Sequence, residues 1–195
     1  MNTLIAGLIL FLGVHSTRVF AEGWRTRMIA GGGLNAWKAV YSVLSIAGFV
    51  LLCVGFGQAR RAPVLLWSPP LWTHYLAAPL TLAAFILLAA AYVPANGIKA
   101  RVGDPMILGV KTWALAHLLA NGTLADVVLF GSFLAWAVLD FRAARQRRRA
   151  GREPAIAAPR RGRSAITVVV GLLAWMLFAF HLHQPLIGVQ PIPWH

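Results

Sequence analysis

A chain of 195 residues with 59% apolar and only 12% charged side chains excludes a water-soluble fold, since soluble domains carry roughly 25% charged residues and could not hide so much apolar surface. A formal net charge of +13 raises nucleic acid as a partner, but nine of the eighteen basic residues fall within residues 142–163, beside apolar runs. There anionic lipid headgroups are the simpler counter-charge, so no nucleic acid partner is expected.

The apolar runs cover residues 4–21, 36–57, 74–93, 106–121, 124–141 and 164–183, each near the ~20 residues that cross a bilayer. The first has neither a basic start nor a small-residue cleavage site and reads as a retained span, not a signal peptide. Cys53, the single cysteine, excludes an intramolecular disulfide and reads as core filler within the second run. Pro63, Pro69 and Pro70, with Trp67 and Trp72, mark the next connection as an interfacial segment. Only Asn121-Gly122-Thr123 separates the fourth and fifth runs, which therefore form an antiparallel helical hairpin. The Arg/Ala/Pro stretch of residues 142–163 has the composition of a solvated, partly disordered connection. The expected fold is all-α, a polytopic transmembrane helical bundle of about six spans in one domain over residues 1–195.

Six spans place Arg18, Arg25, Arg27, Lys38, Lys99, Arg101 and the nine arginines of residues 142–163 on one side, and only Arg60 and Arg61 on the other. The positive-inside rule assigns the first group to the cytoplasm and both termini to the outside; in a bacterium this would be the inner membrane.

Polar groups at membrane depth are expensive and functional by default. These are His15, Arg18, Lys111, His117 and Asp126, with His74, His181 and His183 near the outer ends of their spans, while His195 suits solvent or interface. Of five acidic residues only Asp126 sits well inside a span, so paired-carboxylate catalysis has no support. Neither do nucleotide binding, zinc-cysteine sites or serine hydrolysis, whose motifs are missing. Each histidine has a plain reading as a hydrogen-bonding link between helices. Two imidazoles on separate apolar helices are also an admissible bis-histidine haem site. His15 lies about six residues from the cytoplasmic end of its run and His117 about four from the outer end of its own, so their levels differ by several ångströms. If they do not meet, His74 or His183 is nearest in level to His117.

Arg18, one turn from His15, either holds an anionic group or pairs with Glu22 at i,i+4. Lys111 either neutralises a buried carboxylate or snorkels toward the cytoplasm. Asp126 either orients His117 across the hairpin or caps the fifth helix with Thr123.

Three motifs, Leu10-Phe11-Leu12-Gly13-Val14-His15-Ser16, Trp113-Ala114-Leu115-Ala116-His117-Leu118-Leu119-Ala120-Asn121-Gly122 and Leu186-Ile187-Gly188-Val189, make the chain resemble the NnrU family of bacterial membrane proteins along nearly its whole length. That family is similar to zeta-carotene isomerase, a haem b membrane enzyme acting on a carotenoid precursor. The resemblance implies haem b as cofactor and His15 and His117 as its ligands. With a haem bound, Arg18 and Lys111 are by position the candidates for a propionate, and His183 by depth a further candidate ligand. It implies either a haem-dependent isomerase or oxidoreductase acting on a lipophilic isoprenoid or carotenoid-like substrate, or a non-catalytic accessory or regulatory protein linked to expression of nitrite and nitric oxide reductases in denitrification. Whether the chain is an enzyme stays open. Relatives commonly have Arg-His-Pro where this chain has Gly103-Asp104-Pro105, so no role can be carried onto that missing histidine. The same change weakens a third reading, an S-adenosylmethionine-dependent membrane methyltransferase.

Overall fold

A computed structural model describes residues 1–189 and 191; His195 lies outside them. The described residues are helical apart from loops and one isolated bridge between Leu65 and Thr123. The order is α1 (Asn2–His15), α2 (Thr17–Phe20), α3 (Glu22–Ala59), α4 (Leu71–Tyr92), α5 (Gly97–Val102), α6 (Pro105–Ala120), α7 (Leu124–Arg149), α8 (Arg163–Leu177), a π-helical turn (Phe178–Leu182) and α9 (His183–Ile187).

Four helical stretches, α3, α4, α7 and Arg163–Ile187, are long and apolar enough to cross a membrane, and α1 and α6 are shorter apolar helices. Large apolar side chains on their outward faces, such as Ile9, Val43, Ile46 and Leu173, are exposed, as suits helices that meet lipid rather than water. Cys53 is exposed on α3 as well. It is not core filler: the inward face of α3 belongs to Gly48, Leu52 and Gly55.

The helices form a row in which α3 packs on α1, α1 meets α7, α7 pairs with α6, α6 with α4 and α4 with α8. The α1–α3 contact is backbone on backbone. A Cβ at Gly7 would stand 2.6 Å from Leu52 N, one at Gly48 2.8 Å from Phe11 N, and one at Gly55 would collide with Leu4 N. Small residues let helices approach this closely where lipid supplies no hydrophobic drive. The core that joins the row is built from Leu4, Leu8, Leu52, Ala114, Ala125, Leu129 and Phe130. Within α3 the chain leaves helical geometry at Gly33, at φ +82°, which only glycine adopts readily. The kink separates an exposed stretch carrying Arg25 and Arg27 from the apolar part.

The expected hairpin is present: α6 ends at Ala120 and α7 starts at Leu124. Its turn is held from outside, because Leu66 N and Trp67 N both donate to the Gly122 carbonyl and Leu124 N donates to Val64 O. Arg60, whose guanidinium reaches the Ile187 carbonyl, lies at this same end.

At the opposite end the arginine-rich segment departs from the disordered connection its composition suggests. α7 runs on through Arg149, because Ala and Arg favour helix and positive charge suits a helix C-terminus. Glu153 then folds back between two arginines, 2.7 Å from Arg147 Nε and 3.0 Å from Arg18 Nη2. Arg160 N donates to Ala95 O and Gly97 N to Ser164 Oγ. Residues 150–162 thus form a strap across α5.

Burial alone would push the Glu153 carboxyl up, but the Arg147 hydrogen bond and the charges of Arg18 and Arg147 outweigh it and hold the carboxyl below its ordinary 4.5. A carboxylate with a depressed pKa stabilises the fold above its unfolded value, and that stabilisation is lost as pH falls through the folded value. Thermal unfolding in detergent should therefore show wild type above Glu153→Gln at neutral pH, with the gap closing below about pH 4.5. A gap independent of pH would assign Glu153 a packing role only.

Candidate functional site

His15 ends α1 where that helix meets α3 and α7. Its Nδ1 is 2.7 Å from the Phe11 carbonyl one turn back, an acceptor that makes Nδ1 the protonated nitrogen and leaves Nε2 with its lone pair. The ring is stacked on Phe11 at 4.2 Å between centroids, with Tyr41 at 5.2 Å and Trp136 edge-on at 6.1 Å. Ser45 lies one turn from Tyr41 on the face of α3 that carries Gly48 and Leu52. Two buried polar atoms in this neighbourhood, Ser45 Oγ and Trp136 Nε1, have no hydrogen-bond partner. Such atoms are uncommon in a folded chain and call for a ligand or water.

His117 has the same local chemistry on α6: Nδ1 is 2.8 Å from the Trp113 carbonyl, so its Nε2 is also the free nitrogen. Its surroundings are more closed. The ring stacks on Phe130 at 4.5 Å and leans on Trp113 at 5.1 Å. A second ring nitrogen held by a backbone carbonyl is how metal-binding histidines are commonly fixed.

The two histidine rings are not in contact. Phe11, Phe133 and Trp113 stand between them as a row of rings at 5.8 and 5.5 Å. Along α7, His15 is level with Trp136 and His117 with Phe130, six residues apart, or ~9 Å of helix. Among the described residues no group of three or more His, Cys, Asp or Glu could hold a metal ion. His183 lies within electrostatic reach of His117, and its Nδ1 is likewise held, 2.6 Å from the Val189 carbonyl. His74 and His181 are exposed.

Asp126 caps α7. Thr123 Oγ1 accepts from Asp126 N at 3.3 Å while Asp126 Oδ2 accepts from Thr123 N at 3.1 Å and from the Thr123 hydroxyl at 2.6 Å. This is the capping-box arrangement. The hydrogen-bond partner that fixes the His117 ring is the Trp113 carbonyl, with Asp126 contributing only charge nearby. Arg18 reaches Glu22 at 3.7 Å and Glu153 at 3.0 Å. Lys111 places its ammonium over the Phe141 ring at 4.7 Å, toward the arginine-rich end, as a snorkelling lysine does.

Four residues at the His15 site have no sequence signal of their own: Tyr41, Ser45, Trp136 and Asp140. Asp140 lies within charge range of His15 and 3.9 Å from Arg147. Their i,i+4 spacings, Tyr41 to Ser45 and Trp136 to Asp140, place each pair on one helix face. Only the helix pairing shows that both faces meet His15. Chemically, the site offers an imidazole nitrogen suited to iron, a flat aromatic wall, two uncommitted polar atoms, and positive charge from Arg18 and Arg25 near the same end. That donor set fits a haem bound through a single histidine.

The family model described as NnrU protein matches residues 3–191. No curated protein and no solved structure matches the chain.

Proposed function

The chain belongs to the NnrU family, and from that premise we propose that it is a haem b-binding protein of the bacterial inner membrane in which His15 is the principal iron ligand. The observation that carries the reading is the His15 ring itself, its Nδ1 fixed by Phe11 O and its Nε2 free, beside the two unpartnered polar atoms of Ser45 and Trp136. A haem held there would supply redox-active iron able to act on a lipophilic isoprenoid or carotenoid-like polyene. The chain's own part is to orient the imidazole, to exclude water with Phe11, Phe49 and Phe133, and to set positive charge near the propionates through Arg18 and Arg25.

A second reading, a non-catalytic accessory protein for nitrite and nitric oxide reductase expression, is favoured by the continuous row of rings from His15 to His117. Such a row suits a structural or electron-carrying haem. A pyridine haemochrome assay on detergent-purified protein tests the common premise, with near-stoichiometric b-type haem expected and only traces after haem-supplemented expression overturning it. Conversion of a lipophilic polyene by the haem-loaded protein then separates the readings: turnover is expected of the enzyme and none of the accessory protein.

The six-span arrangement belongs to the same proposal. α1, the helical Ser16 and α2 follow nearly one path over residues 2–20, ~28 Å at ~1.5 Å per residue, against a hydrocarbon core of ~30 Å. α6 runs between α4 and α7. Reporter fusions after Lys38 and after Arg149 should register as cytoplasmic and one at His195 as outside. A cytoplasmic C-terminal reporter would overturn both the span count and the orientation.

A further inference from the structure

The strap of residues 150–162 leaves two open clefts beneath it. A cavity of 390 Å³ lies between the strap, α5, the start of α6 and the end of α7. A second, of 440 Å³, adjoins it through the shared walls of Pro94, Ala95 and Ala157. Arg148 and Asp104 line the first. Arg148 Nη2 donates to Asp104 Oδ1 at 2.9 Å, which leaves Asp104 Oδ2 and Arg148 Nε buried without a partner. Gly103, at φ +84°, lets the guanidinium come within 3.4 Å of where a Cβ would stand.

An orphaned carboxylate oxygen asks for a donor and an orphaned guanidinium N–H asks for an acceptor. One ligand answers both if it carries an anionic oxygen and an N–H group a few bonds apart. Lys99, Arg160 and Arg163 on the walls favour the anion, and the Glu153 carboxylate that also lines the cavity is already paired with Arg18 and Arg147, while Pro154, Ala155 and Ile156 give the strap an apolar side. The cavities lie just past the end of α4, where Tyr92 is exposed, the position of an aromatic residue at a membrane interface. A lipid headgroup reaches this level with its acyl chains still alongside α4. Basic pockets at the cytoplasmic ends of spans are known forms of headgroup recognition.

We propose that the space under the strap binds the headgroup of a phospholipid whose phosphate is followed by a primary ammonium, of the phosphatidylethanolamine kind. The phosphate lies against Arg148 and the wall cations, and the ammonium donates to Asp104 Oδ2. A quaternary ammonium has the same charge and no N–H, so phosphatidylcholine fails at Asp104.

Delipidated full-length protein in detergent tests this, by native mass spectrometry and thermal unfolding with phosphatidylethanolamine, phosphatidylcholine of the same acyl chains, or soluble phosphoethanolamine. Phosphatidylethanolamine should bind about tenfold tighter than phosphatidylcholine, the effect of one charge-assisted hydrogen bond. Asp104→Asn should abolish that preference. Ile156→Trp, which fills the cavity and leaves the Asp104–Arg148 pair intact, should reduce binding of both lipids and keeps the test decisive if Asp104→Asn misfolds. Equal binding of the two lipids overturns the headgroup assignment, and unaltered lipid binding by Ile156→Trp overturns the location. Phosphoethanolamine stabilising as well as the lipid at equal concentration would make the ligand a soluble phosphoester and overturn the lipid.

Discussion

His15→Ala should leave the purified protein almost free of haem, while His117→Ala should keep most of its haem. The asymmetry follows from position. Both rings have Nδ1 tied to a carbonyl one turn back and Nε2 free, so intrinsic ligand quality does not separate them. Their surroundings do. His15 sits among Tyr41, Ser45 and Trp136 near the arginine-rich end, with two unpartnered polar atoms and positive charge within reach. His117 is closed between Phe130 and Trp113, ~9 Å away along α7. For both to ligate one iron, the Phe11–Phe133–Trp113 row would have to part. Haem content and the Soret spectrum of the two variants read the outcome directly. Equal loss in both variants would mean bis-histidine ligation and would sink the single-ligand assignment. Asp126→Asn belongs beside them as a control. Its carboxylate caps α7, so it should lower thermal stability by ~1 kcal/mol and leave the spectrum unchanged.

The apolar helices and the hairpin were legible in the sequence because apolar length and a helix-breaking Asn-Gly dictate where helices run and turn, though only four of the six runs became helices long enough to count as spans. The cap reading of Asp126 was legible for a related reason, since Thr123 and Asp126 interact within one turn. What lay hidden depends on partners far away in the chain. Arg18 announces its pairing with Glu22 at i,i+4, but nothing near it announces Glu153. The kinship of Tyr41, Ser45 and Trp136 with His15 exists only once α1, α3 and α7 are packed. The strap is solvated, as its composition reads, with nearly all of residues 150–162 exposed, yet Glu153 and Arg160 each find a distant partner that composition could not announce. The two histidines carried the strongest motif signal and the least information about each other, because depth is set by helix ends that periodicity locates poorly.

Two substitutions of one kind on α3 should have opposite effects. Gly55→Ala is expected to destabilise the protein by ~1–3 kcal/mol or more, the range for forcing atoms into a packed interface. Gly57→Ala should be neutral or slightly stabilising, since alanine is the better helix former by ~1 kcal/mol. At Gly55 a Cβ would meet the backbone of Leu4 and Thr3, whereas at Gly57 it meets nothing within 4 Å. A backbone clash cannot be relieved by a rotamer change, so α1 and α3 must separate. Separation would also weaken the neighbouring contacts at Gly48 with Phe11 and at Gly7 with Leu52. Phe11 carries the carbonyl that fixes His15, so the strain reaches the site from the far end of α1. Thermal unfolding in detergent should therefore rank Gly57→Ala at or above wild type and Gly55→Ala well below, with haem occupancy falling in Gly55→Ala alone. Equal stability of the two variants would show that α1 and α3 are not held by this glycine seam. Loss of stability with full haem occupancy would show that the seam and His15 are uncoupled.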